Sequence, residues 1–124
     1  MSDIVSERSG RILRIQFNRP SKKNGITSAM YITMVDLLDA AGKDDQIRVV
    51  LWHGAGDSFC VGNDLDDFLK NPPGSEGSPQ SRLINAFIGF DKAIVAAVAL
   101  PILRKRLPRF LRSARRVSRG QRTR

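Results

Sequence analysis

Apolar and polar residues alternate near the start of the chain. In GRILRIQFNRP, the apolar residues Leu13, Ile15 and Phe17 are separated by polar ones, and the alternation stops at the run Asn18-Arg19-Pro20. A period of two is typical of a half-buried strand, and asparagine followed closely by proline favours a turn. The segment therefore predicts a strand that ends in a turn.

A helical spacing replaces this alternation after Thr27. Thr27 is a candidate N-cap, and Gly42 lies where a helix would stop. The apolar residues between them recur every three or four positions, at Met30, Met34, Leu37, Leu38 and Ala41. This pattern predicts one amphipathic helix.

Later segments extend the order of strands and helices. IRVVLWH is short and rich in β-branched residues, which predicts a buried strand, and residues 71–81, NPPGSEGSPQS, predict a surface loop. RLINAFIGF places Leu83, Phe87 and Phe90 on one helical face. AIVAAVAL predicts a parallel strand covered on both faces. This order predicts an α/β fold with right-handed crossovers.

The composition fits a single soluble domain. The chain has 124 residues, of which 41% are hydrophobic. No apolar run approaches the length of a membrane span, and MSDIVSERSG lacks the apolar core of a signal peptide. Cys60 is the single cysteine, which excludes an intrachain disulfide and a four-cysteine zinc site. We therefore expect a cytoplasmic protein.

The formal net charge of +9 comes from the C-terminus. Residues 1–101 carry 11 Lys and Arg against 12 Asp and Glu, whereas residues 102–124 carry 10 Lys and Arg and no acid. The composition thus changes abruptly near Pro101. It divides the chain into a nearly neutral part, residues 1–101, and an arginine-rich tail, residues 102–124.

The stretch WHGAGDSFCVGNDLDDF, residues 52–68, has the composition of a binding loop. Its glycines suit a phosphate, but the Gly-Lys-Ser/Thr signature and the third glycine of a dinucleotide motif are absent. Its aspartates Asp64, Asp66 and Asp67 suit a metal ion, but they lack the EF-hand spacing. Solvation or helix capping explains these carboxylates without a metal.

Two further chemistries are open for the same stretch. Cys60 or Ser58 could act as a nucleophile with His53 as its base, against the simpler interpretation of a buried thiol and a structural histidine. Alternatively, Gly62 lets a ligand come close, and NDLDDFL opens a helix. The N–H of Asn63 could then face a developing negative charge, as one arm of an oxyanion hole.

Three ordered blocks resemble the enoyl-CoA hydratase/isomerase family, of the crotonase superfamily. The blocks are NRPSKKNGITSAMYITMVDLL, IRVVLWHGAGDSFCVGNDLDDF and FDKAIVAAV, and the resemblance covers roughly residues 11–98. It implies part of the ββα spiral fold of that superfamily. It also implies an acyl-CoA thioester as substrate in fatty acid metabolism, with no metal and no cofactor apart from the CoA of the substrate. An intact family member would be a homo-oligomer.

The resemblance also implies roles for individual residues. The family loop FCAGxDL donates one backbone N–H to the thioester oxygen, and the matching position here is Asn63. Gly62, Asn63, Asp64, Leu65 and Asp66 would line the acyl-CoA path. Lys22 and Lys23 follow NRP and are weak candidates for contacts with the CoA phosphates, against the alternative of solvated surface lysines.

The resemblance ends after AIVAAV. The family continues there with a glycine-rich segment that supplies the second oxyanion N–H, and then with a helix that carries a catalytic glutamate. This chain has no glycine from there to Gly120 and no Asp or Glu after Asp91, and Ala93 replaces the usual proline. We therefore expect a truncated family domain, residues 1–101, that is inactive alone. It would leave Ile94, Val95 and Val98 uncovered and available for oligomerisation.

Two explanations remain open for residues 102–124. Out-of-frame translation of GC-rich DNA would produce such an arginine-rich segment. Alternatively, a basic amphipathic helix, kinked at Pro108, would place one apolar stripe among the arginines, at Leu103, Leu107, Phe110, Ala114 and Val117. The alternative function is therefore a basic interaction protein that binds nucleic acid, anionic lipid or an acidic partner through this tail.

Overall fold

The computed structural model of the chain describes residues 2–74 and 76–99. Its four strands form one sheet in the order β1-β2-β3-β4. The strands are β1 (Ile4–Ser9), β2 (Ile12–Phe17), β3 (Val49–Gly54) and β4 (Ala93–Ala97). The helices are α1 (Ser28–Lys43), α2 (Leu65–Lys70) and α3 (Pro79–Gly89), with a short 3₁₀ turn at Pro20–Lys22. The arginine-rich tail lies outside the described residues.

The predicted α/β order is confirmed. Strand β2 pairs in parallel with β3, and β3 pairs in parallel with β4. Helix α1 connects the first parallel pair, and α2 and α3 lie in the connection of the second. The first strand, β1, was not predicted. It pairs antiparallel with β2 and buries only Ile4, so its sequence carries little of the hydrophobic alternation that marks a strand.

Helix α1 begins after Thr27, as predicted. It ends at Lys43, one residue beyond Gly42, where the sequence predicted the stop. The hydroxyl of Thr27 accepts the N–H of Met30 at 3.3 Å, which makes Thr27 the N-cap. The ammonium group of Lys92 donates to the carbonyl oxygens of Ala41 and Asp44, at 2.6 and 2.7 Å. This lysine satisfies carbonyls at the end of the helix, so Gly42 is accommodated within the last turn.

The core lies between α1, α3 and one face of the sheet. Buried residues alternate with more exposed ones along β2, and Leu13, Ile15 and Phe17 are buried as predicted. The remaining buried apolar residues are Ile4, Ile26, Met30, Met34, Val35, Leu38, Ala41, Ile47, Val50, Trp52 and Leu83. The opposite face of the sheet is more open in the described part of the chain.

Two predictions about the last segments are wrong in detail. Helix α3 begins at Pro79, because Ser78 caps it by accepting the N–H of Ser81 at 3.2 Å, so the predicted loop of residues 71–81 is shorter. Strand β4 is parallel as predicted, but it is not covered on both faces. Val95 is 49% exposed, because no described element packs on its side of the sheet.

Candidate functional site

Residues 55–64 form a loop between the end of β3 and the start of α2. A Cβ atom on Gly54 would overlap the carbonyl oxygens of Ser58 and Phe59. The loop therefore folds back against the strand end so closely that only glycine fits. The N–H of Phe59 donates to the carbonyl oxygen of Ala99 at 3.1 Å. This bond places the loop beside the C-terminal end of β4.

Asn24 fastens this loop to the segment that follows β2. Its side chain is fully buried, and its amide donates to the carbonyl oxygens of Ala55 and Ser58 at 2.9 and 2.7 Å. Its Oδ1 accepts the N–H of Arg19 at 2.9 Å. Sequence reasoning missed this residue. The one local signal is the Asn-Gly pair, since Asn24 has a φ of 58°, which asparagine tolerates better than most residues.

The peptide between Gly62 and Asn63 is hydrogen-bonded through its carbonyl oxygen, whereas its N–H is free among the described residues. Ile26 forms an isolated parallel bridge with Asn63, in which the Ile26 N–H donates to Gly62 O and the Asp64 N–H donates to Ile26 O, both at 2.9 Å. A trans peptide points its N–H opposite to its carbonyl. The Asn63 N–H therefore points away from Ile26, and it donates to no acceptor among the described residues.

The geometry at Gly62 leaves space beside this N–H. Gly62 has a φ of 100°, a conformation that favours glycine, and a Cβ atom there would meet nothing within 4 Å. Its own N–H donates to the sulfur of Cys60 at 3.2 Å. Both Gly62 and Asn63 are exposed, so an external group can approach the Asn63 peptide.

The carboxylate of Asp64 has two partners within the protein. It caps α2 by accepting the N–H of Asp67 at 3.0 Å, and it forms an ion pair with Arg19 at 3.2 Å. The hydrogen bond from Asp67 and, after it, the guanidinium of Arg19 hold the pKa of Asp64 below its usual value, although partial burial opposes them. The helix-capping interpretation of this aspartate is confirmed.

The neighbouring residues of the stretch differ in their surroundings. Asp67 accepts the N–H and the hydroxyl of Ser28, at 2.8 and 2.7 Å, and so ties α2 to the start of α1. Leu65 and Asp66 are exposed on the first turn of α2. The five residues predicted to line the acyl-CoA path, 62–66, thus lie at the end of the loop and on the first turn of α2. Only Asp64 among them is tied to the fold by an ion pair in the described chain.

An apolar cavity of about 390 Å³ lies beside this loop. Ile26, which bridges to Asn63, lines it, and so does Tyr31, whose hydroxyl donates to Asn63 Oδ1 at 2.6 Å. The other lining residues are Phe17, Met34, Trp52, Phe59, Gln80, Leu83, Ile84, Phe87, Ile94 and Ala96. The volume is within the range of small-molecule sites. No lining residue is a carboxylate, and Tyr31 was missed from the sequence because only the fold brings it to Asn63.

The alternative arrangement, in which Cys60 acts as a nucleophile with His53 as its base, does not form. Trp52 lines the cavity, and its neighbour His53 lines a separate pocket with Arg14 on the opposite face of the sheet. Burial, and then the charge of Arg14, lower the pKa of His53. The sulfur of Cys60 instead contacts the backbone of Gly62. The structure therefore separates the base from the thiol.

The remaining candidates are distributed around the loop. Lys22 and Lys23 are exposed at the 3₁₀ turn after β2, and Lys23 has a φ of 51°. Within residues 2–74 and 76–99, no three His, Cys, Asp or Glu side chains are grouped as metal ligands. None of the helices in this part of the chain is long and apolar enough to cross a membrane.

Comparison with known proteins matches the same part of the chain. Human enoyl-CoA delta isomerase 2 is 40% identical over 105 residues, which are 79% of this chain and 26% of that protein. The enoyl-CoA hydratase EchA19 of Mycobacterium tuberculosis is 34% identical over 107 residues, which are 82% of this chain and 40% of that protein. This chain therefore spans less than half the length of these relatives.

Solved structures agree with this result. The structure of OdaA from Pseudomonas aeruginosa superposes with a TM-score of 0.74 at 41% identity, over 80% of this chain and 40% of that one. The family described as enoyl-CoA hydratase/isomerase matches residues 7–99, which include all four strands except the start of β1. The expected partial crotonase fold is confirmed, and the chain belongs to the enoyl-CoA hydratase/isomerase family.

Proposed function

We propose that this chain binds acyl-CoA thioesters and that the backbone N–H of Asn63 hydrogen-bonds the thioester carbonyl oxygen. One observation carries the proposal: the N–H points away from Ile26 and has no acceptor among the described residues, and Asn63 is bridged to Ile26 and hydrogen-bonded to Tyr31, which both line an apolar cavity. A fixed donor of this kind stabilises the negative charge that develops on a carbonyl oxygen. The acyl group would occupy the cavity.

The surrounding residues suit the rest of such a ligand. Gly62, Asp64, Leu65 and Asp66 would line the path of the thioester, and the open space beside Gly62 leaves room for its approach. Lys22 and Lys23 are exposed on the neighbouring turn, where their ammonium groups could meet CoA phosphates. Relatives named as enoyl-CoA isomerases and hydratases support the acyl-CoA class.

The same site offers little for proton transfer. Hydration or double-bond isomerisation needs an acid or base positioned near the substrate. The side chains that line the cavity include no carboxylate and no histidine. Of the two carboxylates on the proposed thioester path, Asp64 is paired with Arg19 and Asp66 is exposed on α2. We therefore expect this chain alone to bind a thioester without turning it over, and a second oxyanion donor would have to come from outside the described residues.

A pair of ligands tests the proposal. Hexanoyl-CoA has the thioester carbonyl, whereas its thioether analogue S-hexyl-CoA lacks only that oxygen. We expect isothermal titration calorimetry to give about fivefold tighter binding of the thioester, the effect of one hydrogen bond. Asn63→Pro deletes the N–H and leaves both bonds to Ile26, so it should remove this preference.

A second proline controls for general effects. Asp45 is the second residue of a turn in which the Ile47 N–H donates to Asp44 O at 3.0 Å, a position that favours proline. Asp45→Pro should keep the thioester preference. Equal affinities of the wild type for both ligands, or a preference that survives Asn63→Pro, would reject Asn63 as the donor.

A further inference from the structure

A hydrogen bond joins α1 to the loop that carries the proposed donor. The hydroxyl of Tyr31 donates to Asn63 Oδ1 at 2.6 Å, across 32 positions of the chain. Tyr31 also lines the apolar cavity, so its hydroxyl lies at the boundary between that cavity and Asn63. It is the one titratable side chain among those that line the cavity in the described chain.

This contact adds to the bonds that hold the main chain at Asn63. Asn63 is exposed and follows Gly62, whose φ of 100° is a conformation that favours glycine. One isolated bridge to Ile26 fixes the peptide on one side. Glycine has the largest backbone freedom of any residue, so a hydrogen bond to the Asn63 side chain adds a restraint to those of the bridge and of the Arg19–Asp64 pair.

Tyr31 is suited to act as a constant donor. Its ring is held in the cavity wall, and burial, followed by the nearby Cys60, raises the pKa of its phenol. The hydroxyl therefore keeps its proton at neutral pH. A neutral donor of fixed position can hold the amide side chain of Asn63 without bringing a charge into the apolar site.

We infer that Tyr31 is a positioning residue: its hydroxyl holds the Asn63 side chain and thereby keeps the Asn63 N–H directed at the thioester oxygen. The inference rests on the proposed function, and it adds a residue that acts through Asn63 and does not touch the substrate oxygen. It predicts that the hydroxyl affects recognition of the carbonyl more than it affects binding of the acyl chain.

The test uses the ratio of the S-hexyl-CoA and hexanoyl-CoA dissociation constants. Tyr31→Phe removes the hydroxyl and keeps the ring, whereas Asn63→Ala removes the acceptor and keeps the backbone N–H. Each variant should lower the ratio about threefold, and the double variant should lower it no further, because both remove the same bond. Thr33→Ala, which removes an exposed hydroxyl bonded to Ala29 O on the same helix, should leave the ratio unchanged.

A second readout reports on the loop without ligand. Hydrogen exchange of the Ile26 amide, which donates to the carbonyl oxygen of the Gly62–Asn63 peptide at 2.9 Å, followed by NMR, should be faster in Tyr31→Phe than in the wild type and unchanged in Thr33→Ala. An unchanged ratio in Tyr31→Phe, with the wild type still preferring the thioester, would overturn the role of Tyr31 alone. Wild-type protein that binds neither CoA compound would reject the proposed function, and with it any role of Tyr31 toward a ligand.

Discussion

Arg19 and Asp64 form an ion pair of 3.2 Å between the segment after β2 and the start of α2. The same guanidinium nitrogen of Arg19 donates to the carbonyl oxygen of Gly25 at 2.6 Å. The two side chains are only 16% and 15% exposed. Because Gly25 precedes the bridge at Ile26 and Asp64 follows Asn63, this pair braces both chain segments that position the Asn63 N–H.

The stability that Asp64 provides should depend on pH. Its pKa is lowered in the folded protein, so its contribution is complete above the unfolded value of about 4 and is lost as the pH falls through the lower folded value. Asp64→Asn should therefore be less stable than the wild type at pH 7. The difference in free energy of unfolding should shrink as the pH falls below about 4, measured by urea denaturation.

Asp66 provides the matched control for this prediction. It lies on the same helical turn, is exposed and has no ion pair within the described chain. Asp66→Asn should change stability much less than Asp64→Asn at pH 7. A constant difference between the wild type and Asp64→Asn from pH 7 to pH 3 would contradict the assigned pairing.

Replacing Asn24 should destabilise the fold strongly. Asn24→Ala would leave the partly buried carbonyl oxygens of Ala55 and Ser58 without their donor and would place alanine at a φ of 58°. We expect a loss of about 3 kcal/mol in the free energy of unfolding. Asn24→Gly should lose less stability than Asn24→Ala, because glycine adopts this φ without strain. Asn85→Ala, at an exposed position of α3, should have little effect on the free energy of unfolding. Equal stability of Asn24→Ala and Asn85→Ala would refute the bracing role of Asn24.

A methyl group at Gly54 should disturb the loop. The added Cβ would overlap two backbone oxygens, of Ser58 and Phe59, which cannot move aside as a flexible side chain could. Gly54→Ala should lower the free energy of unfolding by about 2 to 3 kcal/mol in chemical denaturation. Gly74→Ala is the control variant, because a Cβ atom at that position would meet nothing within 4 Å. Similar losses for the two variants would show that Gly54 is not sterically required.

Catalysis by this chain alone should be absent. The cavity lacks a carboxylate or histidine to move a proton, and the single proposed oxyanion donor does not replace one. When crotonyl-CoA is incubated with the chain, the absorbance of its conjugated enoyl thioester should fall at the rate seen in buffer. A rate that rises with protein concentration and disappears in Asn63→Pro would show that the chain has catalytic groups beyond those assigned.

Local patterns predicted most elements of the fold. Strand β2 and helix α1 each bury one face, so their apolar residues recur with the period of a strand and of a helix. Strand β1 buries one residue and leaves no such period. The candidate site depended partly on resemblance: Asn63 could be singled out by its position in the family loop, because the role proposed for it uses the backbone N–H and not a particular side chain. Tyr31 and Asn24 could not, since their partners lie 31 to 34 positions away and only folding brings them together.

The Asn63 amide itself provides the most direct test of the central claim. In ¹⁵N-labelled protein, its N–H resonance should move downfield on titration with hexanoyl-CoA, because the proton then enters a hydrogen bond to the thioester oxygen. S-hexyl-CoA should occupy the same cavity without this shift. A downfield shift specific to the thioester is the predicted result; identical spectra of the Asn63 amide with the two bound ligands would contradict the account.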